Sequence, residues 1–276
     1  MGAWLNAAGQ ALVRAGVESP HLSIHLFLEE VTGLSRSSVI AHPERTLEPN
    51  ESERLEELLA RRLDHEPTAY ILGWKDFRNL RLKVSSAVLI PRPETEELVD
   101  LAKDLMPHAL DILDVATGSG CIALSLLETH RQGRIRACDL SEAALEVARQ
   151  NDQERRIGWF RSDWFECVRT GSLDLIVSNP PYVTDAEMSL LDPQVARYEP
   201  QQALRGGADG CDAYRKILPQ AASCLRPGGR LIVEASPAVA HPLRQIFEEH
   251  GFVRIEVHRD LAGRERFATG LKPGRE

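Results

Sequence analysis

Ile112-Leu113-Asp114-Val115-Ala116-Thr117-Gly118-Ser119-Gly120-Cys121-Ile122-Ala123 compresses an apolar strand, a glycine turn and the opening of a helix into twelve residues. Gly118 and Gly120 let the backbone turn sharply and approach a ligand with no side chain in the way. The pattern continues downstream. Strand candidates at 111–116, 134–138, 157–160, 173–177 and 230–235 alternate with helix candidates at 121–128, 142–150, 211–225 and 241–249. Such alternation predicts an α/β fold, a mainly parallel sheet with helices on both faces. Two more alternating runs in about 252–270 close the sheet edge. Asp139 ends the second of these strands, nineteen residues after Gly120, where a carboxylate accepts hydrogen bonds from ribose hydroxyls. Ala116, Thr117, Gly118, Ser119, Gly120 and Asp139 therefore read as a site for an adenosine-like cofactor. They do not choose one, because Gly118-x-Gly120-x-x-Ala123 with Asp139 also satisfies the nicotinamide dinucleotide fingerprint.

The next two strands end in further chemistry. Asp163 and Trp164 follow the third strand on the carboxyl side of the sheet, where open α/β folds bind ligands. Asp163 is placed to hold an adenine amine and Trp164 to cover the base. Ser178-Asn179-Pro180-Pro181-Tyr182 follows the fourth strand. Two prolines cannot continue a central strand, so they lock a rigid turn. That turn offers the Asn179 side-chain oxygen and the Pro180 carbonyl as acceptors, with the Tyr182 ring beside them. The set suits a planar NH₂ group, whose hydrogens are held while its lone pair faces an electrophile. An amide nitrogen is a weak nucleophile, so orientation and desolvation replace a strong base.

The flanking sequence sets the frame. Residues 1–74 read as helices: Leu5, Ala8, Leu12 and Val13 form one apolar face, and Ile24, Phe27, Leu28 and Val31 form a second between Pro20 and Gly33. Leu55, Leu58, Leu59 and Leu63 form a third, with Glu51, Glu53, Glu56 and Glu57 toward solvent and Pro67 as its stop. Residues 75–91 change period and read as short strands, a hairpin linking two domains. The stiff Pro91-Arg92-Pro93 connection follows, with Thr95 ahead of a helix carrying Leu98, Leu101 and Leu105. Of the 276 residues, 33 are Lys or Arg and 41 Asp or Glu; the net charge of −8 argues against non-specific binding of phosphate backbones. The five cysteines lack any Cys-x-x-Cys pair and read as reduced, partly buried thiols rather than a zinc framework, so no metal site is expected. No export leader or membrane span is read, and a cytoplasmic protein is expected.

These residues resemble a known family, the protein-glutamine N5-methyltransferases that modify peptide chain release factors (HemK/PrmC family). The resemblance runs nearly the full length. It rests on Ala69 to Gly73, on Leu89-Ile90-Pro91-Arg92-Pro93-Glu94-Thr95-Glu96, on the glycine loop and on Ser178 to Tyr182. Glu199-Pro200, Gly206 to Gly210, Pro227-Gly228-Gly229 and Asp260 to Gly263 continue it. The Pro-Arg-Pro-Glu-Thr-Glu run is the discriminating piece, since Asn-Pro-Pro-Tyr also occurs in methyltransferases acting on amino groups of bases. The resemblance implies a helical substrate-docking domain over 1–74, a hairpin linker over 75–91, and a class I, Rossmann-like, seven-stranded methyltransferase domain over 92–276. It implies S-adenosyl-L-methionine as cofactor, lined by residues 116–120, Asp139, Trp164 and Asn179. It also implies that 179–182 hold the glutamine of a release factor's Gly-Gly-Gln loop, with Asn179, Pro180 and Tyr182 as catalytic residues and Pro181 in the substrate site. Release factors are the implied partners, with no requirement for nucleic acid or membrane, and the chain is expected to be a monomer. The sequence departs from the family where Gly usually stands at Ala116, at Ala235-Ser236-Pro237-Ala238 and at Arg264-Glu265-Arg266. Three other readings stay open: an exocyclic-amine methyltransferase acting on DNA or RNA, a nicotinamide-dependent dehydrogenase, and a binding protein that has lost catalysis.

Overall fold

The computed structural model describes residues 1–274 and divides them into two compact units, 1–74 with 192–198, and 75–191 with 199–274. The first unit is helical: α1 (Gly2–Arg14), α2 (Pro20–Thr32), α3 (Arg36–Ala41), α4 (Pro49–Leu63) and α5 (Thr68–Leu72). Pro20 opens α2, and Gly33 caps it in the left-handed conformation (φ +68°). Leu12, Ile24, Phe27, Leu28, Leu55 and Leu58 meet in its core. Val13 and Leu63, expected on buried faces, are exposed; Leu63 is the last residue of α4, past the packed stretch. Glu51, expected in solvent, instead accepts the Glu48 backbone N–H (2.9 Å) and pairs with Arg45 (2.8 Å), fixing the start of α4. Pro67 does not stop α4, which ends before Asp64; it precedes α5.

The second unit opens with the hairpin β1 (Trp74–Phe77) and β2 (Leu80–Lys83), whose Phe77 and Leu82 are buried in this unit's own core. Residues 84–91, expected as strand, are irregular. They are followed by α6 (Pro93–Leu105), which begins at Pro93, so Thr95 lies within its first turn and not ahead of it. The chain then alternates: β3 (Asp111–Val115), α7 (Cys121–Thr129), β4 (Arg134–Asp139), α8 (Glu142–Asn151), β5 (Gly158–Arg161) and β6 (Leu173–Ser178). β7 (Val183–Thr184), α9 (Asp185–Met188) and β8 (Arg205–Gly207) come next, β7 pairing with β8, while the intervening α10 (Pro193–Tyr198) belongs to the first unit. α11 (Asp212–Cys224), β9 (Leu225–Glu234), α12 (Pro237–Glu249), β10 (Val253–Arg259) and β11 (Glu265–Leu271) complete it. α12 starts four residues before the expected 241, because Pro237 occupies its first turn and Pro242 is carried inside.

Seven strands form the main sheet in the order β10-β11-β9-β6-β3-β4-β5. The five from β9 to β5 are parallel, and β11 and β10 join antiparallel. β3 is buried along all five residues, as a central strand covered on both faces must be. Leu98, Val99, Ile122 and Leu126 cover one face; Tyr214, Leu218, Leu243 and Phe247 cover the other. The strand order reverses at β3, with β4 on one side and β6 on the other, and such a switch opens a crevice at the carboxyl ends. Among the described residues no helix is long and apolar enough to cross a membrane.

Candidate active site

A cleft lies at that crevice, with about 1080 Å³ of empty space including its open mouth. Its floor is the glycine loop. Ala116 (φ +58°), Gly118 (+56°) and Gly120 (+83°) all take left-handed backbone conformations, which glycine enters freely and alanine does not. The Thr117 N–H donates to the Cys138 carbonyl (3.1 Å) and the Gly120 N–H to the Thr117 carbonyl (2.9 Å), so the turn is closed by backbone bonds. Behind it, the Asp114 Oδ2 accepts from the Thr117 hydroxyl (2.5 Å) and the Ala123 N–H (3.1 Å). Burial pushes this carboxyl up to about 7, against the pull of those two donors. Asp139 accepts from the Gly118 N–H and the Ser141 N–H, both at 2.9 Å, and burial raises its pKa.

The cleft is lined by Ala116, Thr117, Gly118, Ser119, Asp139, Asp163, Trp164, Asn179 and Pro181. Three expected site residues fall outside the lining. Gly120 faces the core, where an added Cβ would sit 2.7 Å from the Trp159 ring, so this glycine serves helix–strand packing. Pro180 is buried. Tyr182, expected to lay its ring on the substrate, packs against the sheet's core and points its hydroxyl at Glu234. Trp164 stands in the lining with φ +53°, a conformation rare for a bulky residue.

Sequence reasoning missed the opposite wall, built from Val88, Leu89, Arg92, Thr95, Pro200 and Gln202. Glu199 holds its two segments together: its buried carboxylate accepts the Ile90 N–H (3.2 Å) and pairs with Arg92 (2.6 Å). The stiff Pro91-Arg92-Pro93 run was the signal available for this wall, since a connection without freedom positions whatever it carries.

The turn after β6 is fastened from two sides. The Asn179 Nδ2 donates to the Thr95 Oγ1 (3.1 Å), and Thr95 donates to the Glu234 Oε2 (2.7 Å). The Tyr182 hydroxyl donates to the Glu234 Oε1 (3.2 Å). Glu234 is 1% exposed, and burial raises its pKa against the opposing effect of Thr95 and Arg266. No described residue donates to the Asn179 Oδ1, which leaves an acceptor uncommitted on a cleft-lining side chain. From behind, Gly206 and Gly210 press on the Tyr182 backbone; a Cβ at Gly206 would lie 2.7 Å from the Tyr182 Cα.

Comparison with known proteins agrees with this architecture. Residues 3–73 match the PrmC N-terminal domain family, and residues 95–195 match the methyltransferase small domain family. The release factor glutamine methyltransferase of Rhodospirillum rubrum is 39% identical over 96% of this chain and 83% of its own length. That of Caulobacter vibrioides is 35% identical over 98% of this chain and 95% of its own. A solved structure, the E. cuniculi Mtq2–Trm112 complex responsible for methylation of the eRF1 translation termination factor, is similar with a TM-score of 0.51 and 24% identity. The likeness covers 67% of this chain and 99% of that one; at that identity it speaks to the fold alone. Likeness at 35–39% along nearly the whole of both sequences is a different matter, and by it the chain is a methyltransferase belonging to the release factor glutamine methyltransferase family.

Proposed function

We propose that this chain transfers a methyl group from S-adenosyl-L-methionine to the side-chain amide nitrogen, N5, of the glutamine in the Gly-Gly-Gln motif of peptide chain release factors. The observation that carries the reading is the shared cleft. The glycine loop, Asp139, Asp163, Trp164 and Asn179 line one space, with the Asn179 Oδ1 uncommitted. The lining fits the cofactor chemically: a carboxylate for ribose hydroxyls at Asp139, an acid at Asp163, and apolar surface from Leu89, Leu140 and Trp164. The cofactor, when bound, supplies a methyl carbon on a positively charged sulfur.

The remaining work belongs to the chain. The Asn179 Oδ1, which lines the cleft, accepts a hydrogen of the glutamine NH₂ and orients the nitrogen lone pair toward the donor pocket. Holding the nucleophile in one pose replaces a strong base, and as the nitrogen takes the methyl group, whose bonding pair to sulfur stays with the sulfur, one of its two protons is released to solvent. The walls at Val88–Leu89 and Pro200–Gln202 flank this cleft, and water displaced from it by the bound glutamine strengthens that hydrogen bond. The helical unit, residues 1–74, is assigned to docking the release factor; it matches the N-terminal domain found in the family.

The test is a mass-spectrometric assay with purified release factor and labelled methyl donor. The expected product is a release factor heavier by one methyl group on the Gly-Gly-Gln glutamine, and no product when that glutamine is replaced. Methylation of DNA or RNA with none on the release factor would overturn the reading.

A further inference from the structure

Thr95 and Glu234 stand 139 residues apart in sequence, both almost wholly buried, and their side chains join behind the Asn179 amide. A threonine hydroxyl has one proton to give. Here it goes to the Glu234 Oε2 at 2.7 Å. The Thr95 oxygen is thereby left as an acceptor, and the group facing it at 3.1 Å is the Asn179 Nδ2. If the amide flipped, two acceptor oxygens would face each other in a buried site, and an unmade buried hydrogen bond is costly. The same carboxylate receives the Tyr182 hydroxyl at 3.2 Å, and its main-chain carbonyl receives the Tyr214 hydroxyl at 2.6 Å. Glu234 thus ties down both ends of the 179–182 turn from the carboxyl end of β9.

We infer that Thr95, anchored by Glu234, is a positioning residue for the proposed methyl transfer: it fixes the Asn179 amide so that its oxygen, not its nitrogen, is offered to the substrate NH₂. The inference rests on the reading given under Proposed function. Thr95 makes the polarity of the turn one-way. A flipped amide would present hydrogens to hydrogens and hold no glutamine in a reactive pose. Glu234 is the fixed end of the relay, so the pair acts through Asn179 and contributes no group to the reacting atoms.

The experiment is single-turnover methylation of a purified release factor by the full chain, with S-adenosylhomocysteine binding measured by calorimetry on each variant. Thr95→Val keeps the size and branching of this cleft-wall side chain and removes the hydroxyl; it is expected to lower the methylation rate by at least about tenfold, with S-adenosylhomocysteine affinity within about twofold of the parent protein because the shape of the wall is kept. Thr95→Ser restores the hydroxyl and is expected to recover most of the lost rate. The decisive arm is a cycle with Asn179→Ala. If Thr95 acts through the amide, adding Thr95→Val to Asn179→Ala lowers the residual rate by less than about twofold. The same tenfold loss in both backgrounds would mean a general structural role and would overturn the inference. A parent-like rate in Thr95→Val, beside a severe loss in Asn179→Ala, would also overturn it while leaving the glutamine-methylation reading intact. A parent-like rate in Asn179→Ala would overturn both. Should Thr95→Val fail to bind S-adenosylhomocysteine, Thr95→Ala compared with Thr95→Ser decides the same question without added bulk.

Discussion

Replacing Ala116 with glycine should make this protein more stable. Ala116 directly follows β3 with φ +58°, and the next residue is already committed by its bond to the Cys138 carbonyl. An L-residue in the left-handed region costs roughly 1–2 kcal/mol relative to the right-handed one. Glycine avoids that cost but loses about 0.5–1 kcal/mol through its freer unfolded chain. The balance favours Ala116→Gly by about 0.5–1 kcal/mol, which moves a melting temperature by about 1–4 °C for a unit of this size. Valine at the same place adds a β-branch to a conformation that branched residues almost never adopt, and should cost at least about 1 kcal/mol more than alanine. Urea unfolding of the three proteins therefore ranks Gly above Ala above Val, with unchanged slopes, since the turn stays closed by the Gly120 to Thr117 backbone bond. Because Ala116 lines the cleft, calorimetry with S-adenosylhomocysteine belongs beside the unfolding curves and should show affinity at least equal to the parent in the glycine variant. A glycine variant less stable than the parent by 0.5 kcal/mol, on the order of the balance worked above, would refute the argument, as would a valine variant as stable as alanine.

Gly206→Ala drives a methyl group to within 2.7 Å of the Tyr182 Cα and 2.9 Å of the Gly210 Cα, both backbone atoms that cannot swing aside; turnover should fall by about a hundredfold with S-adenosylhomocysteine still bound, and normal turnover would show that the 179–182 turn needs no such support. Glu199→Gln leaves the Ile90 N–H and Arg92 sharing one acceptor; a loss of about 2–4 kcal/mol is expected in urea unfolding, together with weaker S-adenosylhomocysteine binding, because residues 87–92 form a wall of the cleft. Asp114 gives a pH signature. Its folded value near 7 lies above the ordinary 3.8, so the native state holds the proton longer and this group's contribution, complete below about pH 4, is lost as pH rises toward 7, with a limiting slope of about 1.4 kcal/mol per pH unit. Burial raises Asp139 and Glu234 as well, so the quantity to measure is the difference between the parent and Asp114→Asn; a difference that does not change between pH 4 and 7 counts against the raised value.

The sequence alone determined the alternating strands and helices, the glycine loop with Asp139, and the rigid turn at 179–182. Each is written in residues close along the chain: hydrophobic period, glycine and proline conformational limits, and the nineteen-residue spacing, one helix and one strand, between the loop and its acid. What only the tertiary structure decided is who stands opposite. Thr95 reaches Glu234 across 139 residues and Arg92 reaches Glu199 across 107. Likewise, residues 192–198 belong with the N-terminal helices, where Arg197 and Tyr198 both bond Asp64. Periodicity reports which face of an element is apolar, and it says nothing about which strand ends become neighbours. That is fixed by the reversal of strand order at β3, a property of the assembled sheet, and only the packed structure sets Gly120 against Trp159 and Tyr182 against Glu234, outside the cleft lining.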